Sequence, residues 1–260
     1  MSTVRTEVTA GGRLSALARA ELTLLGRSRV TLFSALVLPA AMTFAISSSV
    51  EEMDLEDTGL TVGTVLLPGA IGFAMLFAVY GGLVGVFVAR REELVLKRLR
   101  TGEVHDHEIM VGASLPLVLI GLAQCVVLAV GCSVVLDVAA PRAPHLILAG
   151  LASGTVMLVA LAAATAAFTK TAEAAQLTTM PLLVVSMACS GMVVPLELVP
   201  EQIASVCELL PLTAVVELVR SGWTGGDGTY ETLGSFLTAV AWTVIAVFAV
   251  RRWFRWEPRR

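Results

Sequence analysis

Six stretches of this chain carry no charged side chain: residues 30–50, 58–89, 109–136, 143–169, 174–196 and 232–250, each at least 19 residues long. A helix rises about 1.5 Å per residue, so roughly 20 residues cross the ~30 Å hydrocarbon core of a bilayer. In lipid every backbone N–H and C=O must be paired internally, which leaves helices or closed barrels. Barrel strands alternate in segments of about 10 residues, and these runs do not alternate. Composition agrees: 56% of residues are hydrophobic and 15% charged, against about 25% charged in soluble domains, and the mean hydropathy is +0.83. The fold class expected is an all-α membrane protein, one domain over residues 1–260, with helices at 30–50, 60–89, 109–136, 146–168, 174–195 and 232–251.

The basic residues divide unevenly between the two sides of such a bundle. With both termini on one side, Arg5, Arg13, Arg19, Arg27 and Arg29, then Arg90, Arg91, Lys97, Arg98 and Arg100, then Lys170, and finally Arg251, Arg252, Arg255, Arg259 and Arg260 all share it. Only Arg142 and Arg220 of the 18 basic residues fall elsewhere. The positive-inside rule then places the termini in the cytoplasm. The opposite loops are acidic, as at Glu51, Glu52, Asp54, Glu56 and Asp57, and Trp223, Tyr230, Trp253 and Trp256 suit the two aromatic belts. The first apolar run is too long for a signal-peptide core, with no clear small-residue cleavage site after it, so a retained helix is expected.

Residues 12–28, GRLSALARAELTLLGRS, fit an amphipathic helix lying on the inner leaflet. Leu14, Leu17, Leu22, Leu24 and Leu25 share its apolar face, and Arg13, Arg19 and Arg27 suit anionic headgroups. Glu21 projects from the apolar side, either snorkelling to the interface or pairing with another charge. Small-residue spacings recur at Gly81–Gly85 and Gly150–Gly154 and allow close helix packing.

Residues 191–228 are apolar but broken by Pro195, Pro200 and Pro211 and dotted with Glu197, Glu201, Glu208, Glu217 and Arg220. Neither piece between prolines is long enough to span. Proline suits a first helical turn, so Pro200 and Pro211 can each open a short helix. The reading is a re-entrant helical hairpin over 196–222, tolerated where protein buries it or it lines a cavity. An amphipathic outer loop is the competing reading.

Several chemistries lack their residues. No G-x-x-x-x-G-K-[ST] phosphate loop exists: the chain has two lysines, and Thr169 precedes Lys170 where glycine is required. His105 and His107, two residues apart, face different sides of a helix and chelate poorly. Cys125, Cys132, Cys189 and Cys207 have no C-x-x-C spacing and read as small hydrophobes. The spans contain none of the ionisable groups that intramembrane peptidases or proton-driven carriers require. If the chain transports uphill, the energy must enter from another protein.

Residues 91–108 offer one candidate for such an entry. Leu94, Val95, Leu96 and Leu99 cluster between Glu92 and Glu93 on one side and Lys97, Arg98 and Arg100 on the other. Acid early and base late complement a helix dipole, and Gly102 suits a stop. Such a helix can dock a cytoplasmic protein, or it can be an ordinary basic loop.

The segment EELVLKRLRTGEVHDHEIMVG, residues 92–112, closely resembles the coupling helix of ABC type-2 exporter permeases. Residues 191–222 are similar to that family's G-x-x-x-P…LP…LP-x-T…E-x-x-R pattern. Gly191, Pro195, Val199-Pro200, Leu210-Pro211, Thr213, Glu217 and Arg220 meet it. The interfacial helix with its acid, Glu21, also fits. Two departures are Val199, where leucine is usual, and Thr101-Gly102, where many members have Thr-Pro.

The resemblance implies a half-transporter. Two six-helix permeases, identical or different, would pair in the bilayer, each docked on a cytoplasmic ABC ATPase that holds the ATP and Mg; this chain needs no cofactor. Glu92, Glu93, Leu96, Lys97, Arg98, Leu99 and Arg100 would form the coupling contact. Arg19, Glu21 and Arg27 would belong to the connecting helix, and Gly191, Pro195, Pro200, Pro211, Glu217 and Arg220 to an outer gate. The chain itself would not be an enzyme, and nucleic acid is not an expected partner. Aromatics are only 6%, which disfavours a sugar-polymer path and suits a hydrophobic or amphipathic substrate such as a drug, antibiotic, peptide or lipid-like molecule. The Arg-rich, Lys-poor composition suggests a GC-rich bacterium, where such permeases often serve antibiotic export or resistance. An ATP-independent scaffold or immunity protein is the alternative.

Overall fold

A computed structural model describes residues 23, 29–52, 61–100, 105–225 and 228–254. Every regular element among them is helical. Helix α1 runs Arg29–Glu51 and α2 Val62–Glu92; a short α3, Val95–Arg100, follows. Then come α4 Asp106–Val135, α5 Pro144–Phe168 and α6 Ala172–Cys189. A single 3₁₀ turn, Leu196–Leu198, leads to α7 Glu201–Cys207 and α8 Pro211–Thr224, and α9 Thr229–Trp253 ends the bundle. The interfacial helix expected at 12–28, with Arg19, Glu21 and Arg27, lies outside the described residues.

Helices α2, α4, α5, α6 and α9 are each long and apolar enough to cross a bilayer. Helix α1 has 23 residues, about 34 Å at the helical rise; its described apolar stretch, Leu36–Val50, is shorter than a full span. The chain is thus a multi-pass membrane protein.

Helix α2 is the core. Of its most apolar window 78% is buried, against 11% for α9. Val65, Leu67, Phe73, Met75, Leu76, Val79, Leu83 and Phe87 are all at most 1% exposed. It is not one regular helix: Met75–Gly81 is wound as a π-helix between two α-helical halves. A π segment inside a helix leaves carbonyls out of the usual ladder and often bends the axis. The Gly81-Gly82 pair sits where the α-helix resumes.

The boundaries differ from the sequence reading in two places that matter. Residues 91–108 are not a single helix. Arg91 and Glu92 finish α2, the chain turns at Glu93-Leu94, α3 occupies only Val95–Arg100, and Asp106 already begins α4. Leu94 takes φ +60, a left-handed conformation that costs a non-glycine residue about 1–2 kcal/mol. Hydrogen bonds from Leu94 N to Arg91 O (3.1 Å) and from Arg98 N to Leu94 O (3.0 Å) hold it there. The fifth span, expected over 174–195, ends at Cys189, because Gly191 at φ +66 turns the chain out of the helix.

Beyond that turn, α7 and α8 meet at 99°. Pro200 caps α7 and Pro211 is the first residue of α8. Helix α8 packs against α5, α9 and α2, with eleven of its residues buried, Leu212 to Val216 among them. The glycines expected to bring helices together do so within this chain: a Cβ on Gly150 would meet Leu218 Cβ at 3.0 Å, and one on Gly154 would meet Val215 at 2.9 Å. Among the described residues no such neighbour approaches Gly85.

Candidate functional site: two arginine-centred joints

The first joint lies at the basic end of the bundle, where α2, α5 and α6 meet. Arg91 is fully buried at 0% exposure. Its Nη1 donates to Ala166 O at 2.8 Å, and its Nη2 donates to Thr169 O and, at 3.4 Å, to Lys170 O. These carbonyls are the last of α5 and the first after it. A helix C-terminus carries orphan carbonyls and about half a negative charge, so a guanidinium there satisfies both. The neighbouring Glu92 does the complementary work: its Oε2 accepts from Ala172 N at 3.0 Å, at the positive N-terminus of α6. Consecutive residues of α2 therefore grip both sides of the α5–α6 turn. Thr169 stiffens that turn, its Oγ1 donating to Thr165 O at 2.9 Å and lying 2.7 Å from Thr178 Oγ1.

Helix α3 follows this joint after a short turn. Arg90 and Glu93 pair at 2.7 Å across the end of α2. Leu96 is 1% exposed and points into the protein's own core. It anchors α3 and is not part of an outward docking face, which corrects the expectation for this residue. Glu92, Glu93, Leu94 and Arg98 are exposed; the side chains of Lys97, Leu99 and Arg100 lie outside the described set. Helix α4 restarts with a capping box in which Glu108 Oε2 accepts from His105 N at 3.1 Å.

The second joint lies at the opposite, hairpin end. Arg220 of α8 is 1% exposed. Its Nη1 donates to both carboxylate oxygens of Glu197, at 2.9 and 3.2 Å, and lies 3.5 Å from Glu217 Oε1. Its Nη2 donates to Gly191 O at 3.1 Å. A Cβ at Gly191 would stand 3.2 Å from that Nη2, and the residue is in the left-handed region, so glycine is required twice over. Thr213 Oγ1 donates to Ser190 Oγ at 3.2 Å, tying α8 to the end of α6 once more. Met192 packs on α2 so closely that a Cβ on Gly69 would lie 2.7 Å from Met192 O.

Of the predicted gate residues, the structure gathers Gly191, Glu217 and Arg220 at one point; Pro195, Pro200 and Pro211 instead open the three short helices around it. Sequence reasoning missed Glu197 as the main partner of Arg220, and Arg91 as a buried group. Nothing in local spacing marks either one, since their partners lie 23 residues or more away. Among the described residues no group of three or more His, Cys, Asp or Glu could hold a metal ion.

Among the described residues both joints are built from charged side chains and hydroxyls bonded to helix ends and to each other. None of the curated proteins matches the chain. The family model described as ABC-2 type transporter, membrane family, matches residues 13–223, which take in both joints and most of the helical bundle. The chain belongs to the ABC-2 type transporter family, whose members are the membrane permeases of ABC transporters and work with an ATPase subunit.

Proposed function

We propose that this chain is the permease subunit of an exporter, moving a hydrophobic or amphipathic substrate out of a bacterial cell, with its basic end and both termini in the cytoplasm. A separate ATPase docks on α3 and the exposed turn before it, through Glu93 and Arg98 and the neighbouring Lys97, Leu99 and Arg100. ATP and Mg are held by that partner. A second permease copy, identical or different, completes the path.

The observation that carries this reading is the joint at Arg91 and Glu92. Motion imposed on α3 enters α2 directly and is handed to α5 and α6 through three carbonyls and one N–H. A docked ATPase that binds ATP better in one arrangement of α3 than in another would shift the bundle by that difference in affinity. The hairpin end, where α6 leads into Arg220, receives the far end of the same helix.

Co-purification tests it. The chain is expected to bring down a nucleotide-hydrolysing subunit. Arg98→Glu combined with Glu93→Lys is expected to weaken that association about tenfold and to reduce export in parallel. If both survive the reversal, or if the purified chain alone acts on its target, the scaffold reading replaces this one.

A further inference from the structure

A cleft of about 830 Å³ opens between α4, α5 and α9, within the roughly 300–1,000 Å³ range of small-molecule sites. Its walls are apolar, with Met110, Val111 and Val118 from α4, Val156 and Val159 from α5 and Val247 from α9. Val111 and Val156 are exposed, so the cleft opens sideways toward the bilayer. Asp106 and Arg251 stand at its mouth. From Asp106 to Val118 it follows α4 for about 18 Å, about the depth of one leaflet of a ~30 Å core.

Arg251 and Trp253 lie in the last turn of α9, at the end of that candidate span. Phe168, Phe248 and Trp253 cluster there, with ring centroids 5.6 Å (Phe168–Trp253) and 6.3 Å (Phe248–Trp253) apart, as an interfacial aromatic belt does. Among the described residues Arg251 makes no ion pair or side-chain hydrogen bond. Basic pockets between membrane helices on the cytoplasmic side suit phosphate headgroups.

We propose that this cleft is a phospholipid site: one acyl chain lies along α4, α5 and α9, and the lipid phosphate sits on Arg251. A single phosphate matches the single arginine lining the cleft. The site follows from the membrane bundle and not from ATPase docking; only its assignment to the inner leaflet rests on the proposed orientation.

The test uses the full chain in vesicles of phosphatidylethanolamine and phosphatidylglycerol, with a phosphatidylglycerol probe bearing a photoactivatable diazirine in mid-chain. Labelling is expected to concentrate on peptides containing Met110–Val118 and Val156–Val159. It is expected to fall about tenfold in Arg251→Gln, on loss of a charge-assisted hydrogen bond, and at least as much in Ala160→Trp, which fills the cleft. Arg252→Gln serves as the control and leaves labelling unchanged. Arg251 lies at an exposed position, so its variant answers the question even if Ala160→Trp does not fold. Labelling that is spread along all the helices and insensitive to both variants overturns the site. So does cross-linking of those peptides to a second copy in place of lipid. A loss in Ala160→Trp alone overturns the phosphate contact. ATPase co-purification measured on the same samples reports separately on the proposed function.

Discussion

A buried arginine fastens each end of the bundle, Arg91 at one and Arg220 at the other, yet the fastenings differ in kind. At the basic end Arg91 donates to backbone carbonyls of the α5–α6 turn, and its neighbour Glu92 accepts from α6. At the hairpin end Arg220 depends on carboxylates, chiefly Glu197, whose side chain is 42% exposed. Carbonyls of a rigid turn cannot swing away or be exchanged for other partners. A half-exposed carboxylate can do both, and salt screens it. The first joint is suited to transmitting force, the second to letting go.

The sharpest way to break the contrast is to remove the acids at the hairpin end. Glu197→Ala with Glu217→Ala strands the Arg220 charge in a buried site and is expected to lower stability by about 3–5 kcal/mol, seen as an earlier thermal unfolding midpoint in detergent. Arg220→Leu on that background should recover much of the loss, because the stranded charge is gone. Next in size is Arg91→Leu, which leaves the carbonyls of the α5–α6 turn unsatisfied; the expected cost is about 2–3 kcal/mol, with Arg91→Lys restoring part of it. Gly191→Ala meets both the φ of +66 and the Arg220 guanidinium and should cost about 1–2 kcal/mol. Hydrogen exchange at residues 190–200 would show the loosening to be local. The smallest effect is that of Glu92→Gln, about 0.5 kcal/mol from the α6 N-terminus. Its export rate should nonetheless fall if the joint transmits motion. Raising salt should narrow the gap between wild type and the hairpin-end variants and leave the Arg91 series in place.

The hairpin could be read from its prolines, since Pro200 and Pro211 dictate where short helices begin whatever surrounds them. The joint at Arg91 could not be read. In sequence it is one of five cations in a basic loop, and its burial depends on carbonyls of the α5–α6 turn, 75 or more residues away. Leu96 shows the same limit from the other side: an apolar residue among charges is equally consistent with a docking surface and with an anchor, and only the packing of α3 chooses the anchor.

Sequence alone determined that this chain is a helical membrane bundle with one basic end and one proline-broken end. Charge-free length and the cost of unpaired backbone in lipid depend on no long-range contact. Tertiary structure decided which charges are buried, which glycines bring helices together and where α2 stops being regular. Those outcomes depend on partners tens of residues apart, and a helical repeat of 3.6 residues carries no information about what lies across the interface.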